Sequence, residues 1–517
     1  MTSRRLVAVL TAALAGAALS ACALNTPATG VGAATSASSS TPHDLSGAID
    51  RRLDVPALAG AVIAIHMESL ADGRVLYSRH ADARMVPASA LKIVTAAVAG
   101  EQLGWSHRFE TRLEAAGSIV DGVLRGDLVV TGTGDPAINA QDLRTAPLFE
   151  TWATALRDAG ITSVDGRLIG DDGAFDDEPL GAGWAWDYLT AGYAAPSGAL
   201  SYNENLVAVR ITPGPSVATP ASILIAPPGH GLTVHNMVTT GDAVSAVTIA
   251  IERLPGSDTL VVRGQVPAKS SDTIRVTTVG NPTMFFVEGL RLALAARGIR
   301  VRDGAWDIDA LPPGNPLTPG PRQVRATHQS PPLSSLVAQM MKVSQNFYGE
   351  MLIKAVGRTA ADARGVGSTE RGRHVMRQTL DRWKIPDAAL VVHDGSGLSR
   401  YNYASVRLLT SVLKRIWEDD RHRGPFAAAL PVAGHDGTLG SRMTDTLRRR
   451  VQAKTGTIAN VRSLAGYAET DAGERLVFAM IANHFTAPNA EIDRVMEGVL
   501  EEVLSGTTGT TGDRNLR

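Results

Sequence analysis

Three short clusters in this 517-residue chain combine residue types that can do chemistry together. In PASALKIVTA (87–96), Ser89 and Lys92 stand three positions apart, so on a helix they share a face and the amine can reach the hydroxyl. A serine hydroxyl is a weak nucleophile until a neighbour takes its proton. A lysine can take it only if burial or another cation lowers its pKa. The flanking Val86, Ala88, Ala90, Leu91, Ile93 and Val94 would supply that burial. In VSQNFYGEML (343–352), Ser344 offers a hydroxyl that can shuttle a proton, and Asn346 an amide that donates and accepts. In VQAKTGTIAN (451–460), Lys454 is a cation able to bind a carboxylate and to depress a nearby lysine. Thr455 and Thr457 add hydroxyls, and Gly456 lets another backbone come close. Taken alone, the first two clusters read more readily as a surface Ser–Lys pair and a polar surface, and the third as readily as a turn between strands.

The elements that must position them are readable from pattern. A helix should begin near Ser89, and Ser344 and Asn346 lie in or beside a helical pattern running from Leu333 to about Val356. Residues 60–68 and 74–79 form two β-rich runs around Leu70-Ala71-Asp72-Gly73. LAGYAETDAGERLVFAMIANH (464–484) makes a second hairpin around Asp471-Ala472-Gly473, directly after the Lys454 segment. A sheet assembled from both ends of the chain turns the middle into an insertion. That middle differs in character. Its short β runs, GDLVVTG, VAVRITP, SILIAPP and DTLVVRG, are separated by Pro/Gly turns, and two helical patterns run through Leu148, Trp152 and Leu156 and through Phe286, Leu290 and Leu294. The helices end in similar phrases, RDAGI and AARGI, an echo that suggests two related βα units.

Composition sets outer limits. With 44% hydrophobic and 20% charged residues the chain reads as globular rather than polytopic, and a net charge of −1 gives no footprint for nucleic acid. The start, MTSRRLVAVLTAALAGAALSACALN, has the two arginines and apolar run of a secretory signal, so the protein is expected to be exported. The Ser/Thr/Ala/Gly-rich stretch 25–42 reads as a tether and the segment from Ser505 as a disordered tail. The 12 histidines are scattered without HExxH and the single cysteine has no second, which argues against a zinc site; no GxSxG elbow is present. GTGDPA (132–137) loosely fits a dinucleotide-binding glycine pattern, but Pro136 and the expected lack of a βαβ unit make it a strand-ending turn.

Taken in order, SxxK, SxN and KTG resemble the signature set of the penicillin-recognising serine acyl enzymes. The roughly 250 residues between Ser89 and Ser344 make the chain similar to class C low-molecular-mass penicillin-binding proteins, D-alanyl-D-alanine carboxypeptidases/endopeptidases. HDGSGLSRYN (393–402), LPVAGHDGTLGSR (430–442) and VTGTGDPAI (130–138) also resemble that family. The resemblance implies an α+β fold: a β-lactamase-like catalytic domain, an antiparallel sheet flanked by helices, interrupted by a large mixed α/β insertion. The limits expected are a signal over 1–21, a lipid-anchor tether over 22–45, the catalytic domain over 46–118 and 326–504, the insertion over 119–325 and the tail over 505–517. Ser89, Lys92, Ser344, Asn346 and Lys454 are the implied catalytic set, with Thr455, Gly456 and Thr457 binding substrate. Peptidoglycan stem peptides are the implied substrate, β-lactams the inhibitors, and no cofactor is required. Arg400 would lie beside the cleft and bind the acidic end of a peptide side chain, or else close a Gly-rich turn. A family carboxylate that reads a free D-amino centre falls in GWAWDYLTAGY on Tyr188, with Asp187 one place earlier; Asp187 is equally an N-terminal helix carboxylate. Leu19-Ser20-Ala21-Cys22 resembles a bacterial lipoprotein signal in which Cys22 is lipidated, anchoring the protein at the outer face of the cytoplasmic membrane. A β-lactamase and a vestigial wall-associated binding protein are the competing readings.

Overall fold

The computed structural model describes residues 44–140, 147–360 and 365–506. The expected signal, almost all of the tether with Cys22, and most of the tail lie outside them.

The sheet built from both chain ends is present. Its five strands run in the order Val451–Ile458, Val461–Glu469, Arg475–Asn483, Val62–Ser69, Val75–Arg79, every neighbour antiparallel. Both hairpins turn where Gly is needed: Gly73 and Gly473 have φ of 74° and 79°, a conformation that costs a residue with a Cβ. Alternation along the strands splits the core into two layers. Ala64, Ala479 and Ile481 face a helical layer with Val94, Met340, Phe347, Met351 and Val412. Ile65, Phe478 and Met480 face the opposite side, where Ile49, Ile492, Met496 and Val499 come from the helices Leu45–Leu53 and Asn489–Gly506.

In the helical layer Lys92–Leu103 is buried on every side from Lys92 to Gly100. Such a helix belongs in the middle of a core. The expected single helix from 333 to 356 is instead two, Leu333–Lys342 and Asn346–Gly357, broken at 343–345. The apolar spacing continues across the break, so period alone could not show it.

The chain leaves this body after His107 and returns at Leu333, whose N–H donates to the His107 carbonyl at 2.8 Å. Between them, Glu110–Val120 pairs with both Val123–Gly132 and Arg322–Gln329, so the limits 119 and 325 fall inside strands of the inserted sheet. That mixed sheet carries the helices Leu148–Asp158 and Pro282–Ala296 over one core. The echoed phrases do mark related units: each leads into a short strand, and Arg300–Val301 runs parallel to Ser163–Val164. Val123–Gly132 is also parallel to Leu168–Asp171 across the helix Leu148–Asp158, so GTGDPA does lie in a βαβ unit, at the end of its first strand and before its helix, contrary to expectation. Its glycines are filled by packing: a Cβ on Gly132 would lie 2.3 Å from the Ala199 carbonyl oxygen and one on Gly134 2.5 Å from the Phe175 ring. Two three-stranded sheets spanning 206–278 share a separate small core around Val207, Val209, Leu260 and Val262. Among the described residues no helix is long and apolar enough to cross a membrane.

Candidate active site

Ser89 sits in the 3-10 turn Ala88–Leu91, immediately before the buried helix, and is itself partly exposed. The turn is pinned from the sheet. Asn483 accepts from the Val86 N–H at 2.8 Å and donates to its carbonyl at 3.1 Å, while Ser463 Oγ donates to the Pro87 carbonyl at 2.7 Å. Ala88 has a φ of 47°, a strained conformation for alanine directly before the nucleophile candidate.

One helical turn on, Lys92 is fully buried. Its Nζ donates to Ser89 Oγ at 2.9 Å, to Asn346 Oδ1 at 2.7 Å and to the Ser396 carbonyl at 2.8 Å. Burial pulls its pKa down to about 7, against the opposing pull of Asp394 and Glu350. An amine that titrates near neutrality within hydrogen-bond reach of a hydroxyl can act as its general base.

The break at 343–345 brings the second cluster to the same place. Ser344 has a φ of 62°, and Asn346 opens the next helix. The third cluster lies on the edge strand of the sheet, where Lys454, also fully buried, donates to Ser344 Oγ at 2.8 Å and to the Thr455 carbonyl at 2.6 Å. Burial lowers the Lys454 pKa well below the lysine range, and the charge of Lys92 lowers it further. Gly456 is required by contact: a Cβ there would stand 2.1 Å from Ser463 Oγ and 2.9 Å from the Ser89 nitrogen.

A cleft of about 790 Å³ opens over these groups, lined by Ser89, Ser344, Asn346, Thr455 and Thr457, with Thr438, Leu398, Tyr188 and Tyr193 among its walls. Thr455 Oγ1 donates to Thr438 Oγ1 at 2.8 Å. Arg400 is exposed, does not line the cleft, and reaches the carbonyl of Ala459, which does. Tyr188 lines the cleft; Asp187 is exposed on the same short turn and does not.

Sequence reasoning missed the support beneath Lys92. Glu350, buried one turn after Asn346, accepts from the Gly395 and Ser396 N–H groups at 3.0 and 2.9 Å, and so aims the Ser396 carbonyl at Lys92. Burial, then the charge of Asp394, pushes the Glu350 pKa up. Asp394 accepts from the Gly397 and Ser399 N–H groups, from Asn402 and, at 2.9 Å, from Trp184 Nε1 of the inserted section. A lone glutamate inside an apolar helix was the available signal. The acidic trio Asp172, Asp307 and Asp309 could geometrically hold a cation, but Asp307 already accepts from Asn281 and the Asp309 N–H.

The chain is also similar to known proteins. The chain is 32% identical over 456 residues to a D-alanyl-D-alanine carboxypeptidase of Actinomadura sp. (strain R39), covering 85% of this chain and 81% of that protein. It is 26% identical over 438 residues to the D-alanyl-D-alanine carboxypeptidase DacB of Haemophilus influenzae, covering 84% and 87%. The fold matches the crystal structure of penicillin binding protein 4 from Haemophilus influenzae with a TM-score of 0.77 at 24% identity, over 88% of this chain and 99% of that one. Residues 45–503 match the model of one family, and the chain belongs to it: the D-Ala-D-Ala carboxypeptidase 3 (S13) family.

Proposed function

We propose that the cleft carries out serine D-alanyl-D-alanine carboxypeptidase and endopeptidase chemistry on peptidoglycan stem peptides. The carrying observation is the buried Lys92 amine 2.9 Å from Ser89 Oγ. Ser89 Oγ attacks the carbonyl of the D-Ala–D-Ala bond, or the D-centre of a cross-link, as Lys92 takes its proton. The backbone N–H groups of Ser89 and Thr457 receive the developing oxyanion; Gly456 lets the edge strand come close enough to Ser89 to do so. Ser344, bonded to Lys454, passes a proton to the leaving amine, and Asn346 holds the acyl-side amide. Lys454 and Thr455 take the terminal carboxylate, whose negative charge restores the proton affinity that burial removes from Lys454. Water then releases the acyl-enzyme.

A β-lactam acylates the same serine and stays, because its tethered leaving group blocks that water. Incubation with fluorescent penicillin, read by gel and intact mass, should label the unsubstituted protein and not Ser89→Ala. Labelling of both would overturn the assignment, and loss of the adduct within seconds would identify a β-lactamase instead. Release of D-alanine from a short muropeptide reports the carboxypeptidase activity. Arg400 at the cleft rim is assigned to an acidic group on the substrate side chain, and Asp187 to its amino group; Arg400→Ala and Asp187→Asn should alter preference among stem peptides more than penicillin labelling. Lipidation of Cys22 would hold the enzyme at the cell envelope. Cys22→Ser should move it to the soluble fraction with its labelling intact, and continued membrane association would refute the anchor.

A further inference from the structure

We propose that Glu204, in the inserted section, is a positioning residue for acylation: it holds Gln345 and through it fixes the corner that presents Ser344 and Asn346. This rests on the cleft being the acylating site.

Gln345 stands between the two motif residues. Ser344 and Asn346 line the cleft, whereas the Gln345 side chain reaches into the inserted section and donates to Glu204 Oε2 at 2.5 Å. The corner needs holding. Ser344 has a φ of 62° between two helices, a conformation that a serine abandons when nothing over-determines it. Glu204 is itself held in an unusual way: Asn203, Glu204 and Asn205 have successive φ values of 54°, 54° and 56°. Three consecutive non-glycine residues in the left-handed region are rarely tolerated, and their neighbours fix them. The Asn203 N–H donates to the Ile138 carbonyl at 2.8 Å, and Asn205 Nδ2 donates to the Pro196 carbonyl at 2.8 Å. A strained, hydrogen-bonded loop that delivers one carboxyl to one side chain is the kind of feature that stores positioning.

The inserted section grips the same corner a second time, where Asn346 Nδ2 donates to the Tyr193 carbonyl at 2.9 Å. Glu204 lies on a cavity of about 260 Å³ with Asn139, Ser335, Gln339 and Tyr348. Among the described residues lining it, Tyr348 is the other titratable group and no cation is present. Burial raises the Glu204 pKa to about 7, against the Gln345 hydrogen bond. A glutamine amide donates to a carboxylate and accepts from a carboxylic acid, so the natural pair survives titration in either direction. That property gives the test its handle.

Acylation rate constants for fluorescent penicillin are measured on the full chain against pH. Glu204→Ala should acylate roughly 10- to 100-fold more slowly, the loss typical of a small misplacement of reacting groups, and Glu204→Gln should recover most of the rate. Gln345→Glu sets two carboxyls together that must share a proton. Its rate should fall at alkaline pH, where the unsubstituted enzyme holds its plateau. Glu204→Gln combined with Gln345→Glu restores a carboxyl–amide pair and should restore the plateau. If Gln345→Glu keeps the natural pH profile, or Glu204→Ala acylates at the natural rate, the proposal is wrong. Should Glu204→Ala fail to fold, the Gln345→Glu profile and its reversal decide alone. Absence of labelling in the unsubstituted protein would instead overturn the reading of the cleft.

Discussion

At the level of single residues, the cost and use of a buried amine are one fact. Lys92 is fully enclosed and its pKa falls to about 7, so near neutrality a large share of molecules hold it as the free base. In the proposed mechanism the neutral form takes the Ser89 proton, so acylation by penicillin should rise with pH through about 7 and level off above it. Stopped-flow rates from about two units below to about two units above neutrality check this; a flat profile would exclude Lys92 as base. Lys92→Arg, which cannot lose its proton, should slow acylation by at least about 100-fold. Glu350 makes a different prediction. Both of its oxygens accept backbone N–H groups, so Glu350→Gln turns one acceptor into a donor facing a donor. The mismatch should cost about 1–3 kcal/mol, read as a lower urea midpoint, with slower acylation because Ser396 no longer fixes Lys92.

At the level of elements, the site is a meeting of an edge strand, a 3-10 turn and a helix break, and the strand meets the turn at Gly456. A methyl group there would overlap Ser463 Oγ and press on the Ser89 nitrogen. Gly456→Ala should therefore push the strand off the turn and separate the two oxyanion donors, with a loss of roughly 100- to 1000-fold in acylation. Adding Ser463→Ala removes the hydroxyl contact but not the Ser89 one, so it should restore the rate only in part; full recovery would show that the strand's approach to Ser89 is unimportant. These elements were unequally legible. Both glycine-turned hairpins, the helix after Ser89 and the strand holding Lys454 follow from alternation and turn chemistry. The break at 343–345 does not, because Leu336, Met340, Phe347 and Met351 keep a helical apolar spacing across it and the strain at Ser344 is imposed by tertiary contacts. The partners of Glu350 and Glu204 were hidden for the same reason: they lie far away in sequence, and although Glu350 stands out as a lone glutamate in an apolar helix, no local pattern names what it holds.

At the level of the whole molecule, a change of composition pointed to an insertion, but not to how tightly residues 108–332 adhere to the five-stranded sheet and its helices. The structure distinguishes two cases. Phe175, Ala195 and Ala199 of the inserted section belong to the same core as Val94 and Met351, and buried Lys354 pairs with Asp176 at 2.7 Å. Breaking that pair would strand a buried charge, so this part should unfold together with the body. The two three-stranded sheets of 206–278 have their own small core and pack against Pro282–Ala296 through Phe285. Their exposed strand Ser222–Ala226 adds little burial. Regions with few buried apolar contacts open first. Hydrogen exchange by mass spectrometry in rising urea should show the peptides of 206–278 losing protection before the five-stranded sheet does. Penicillin labelling should persist through that first opening, because Ser89, Lys92, Ser344 and Lys454 all sit on the body, and should vanish with the second. A single transition in which every peptide and the labelling are lost together would show that the outer sheets are bound into the catalytic core as firmly as the strands beside it.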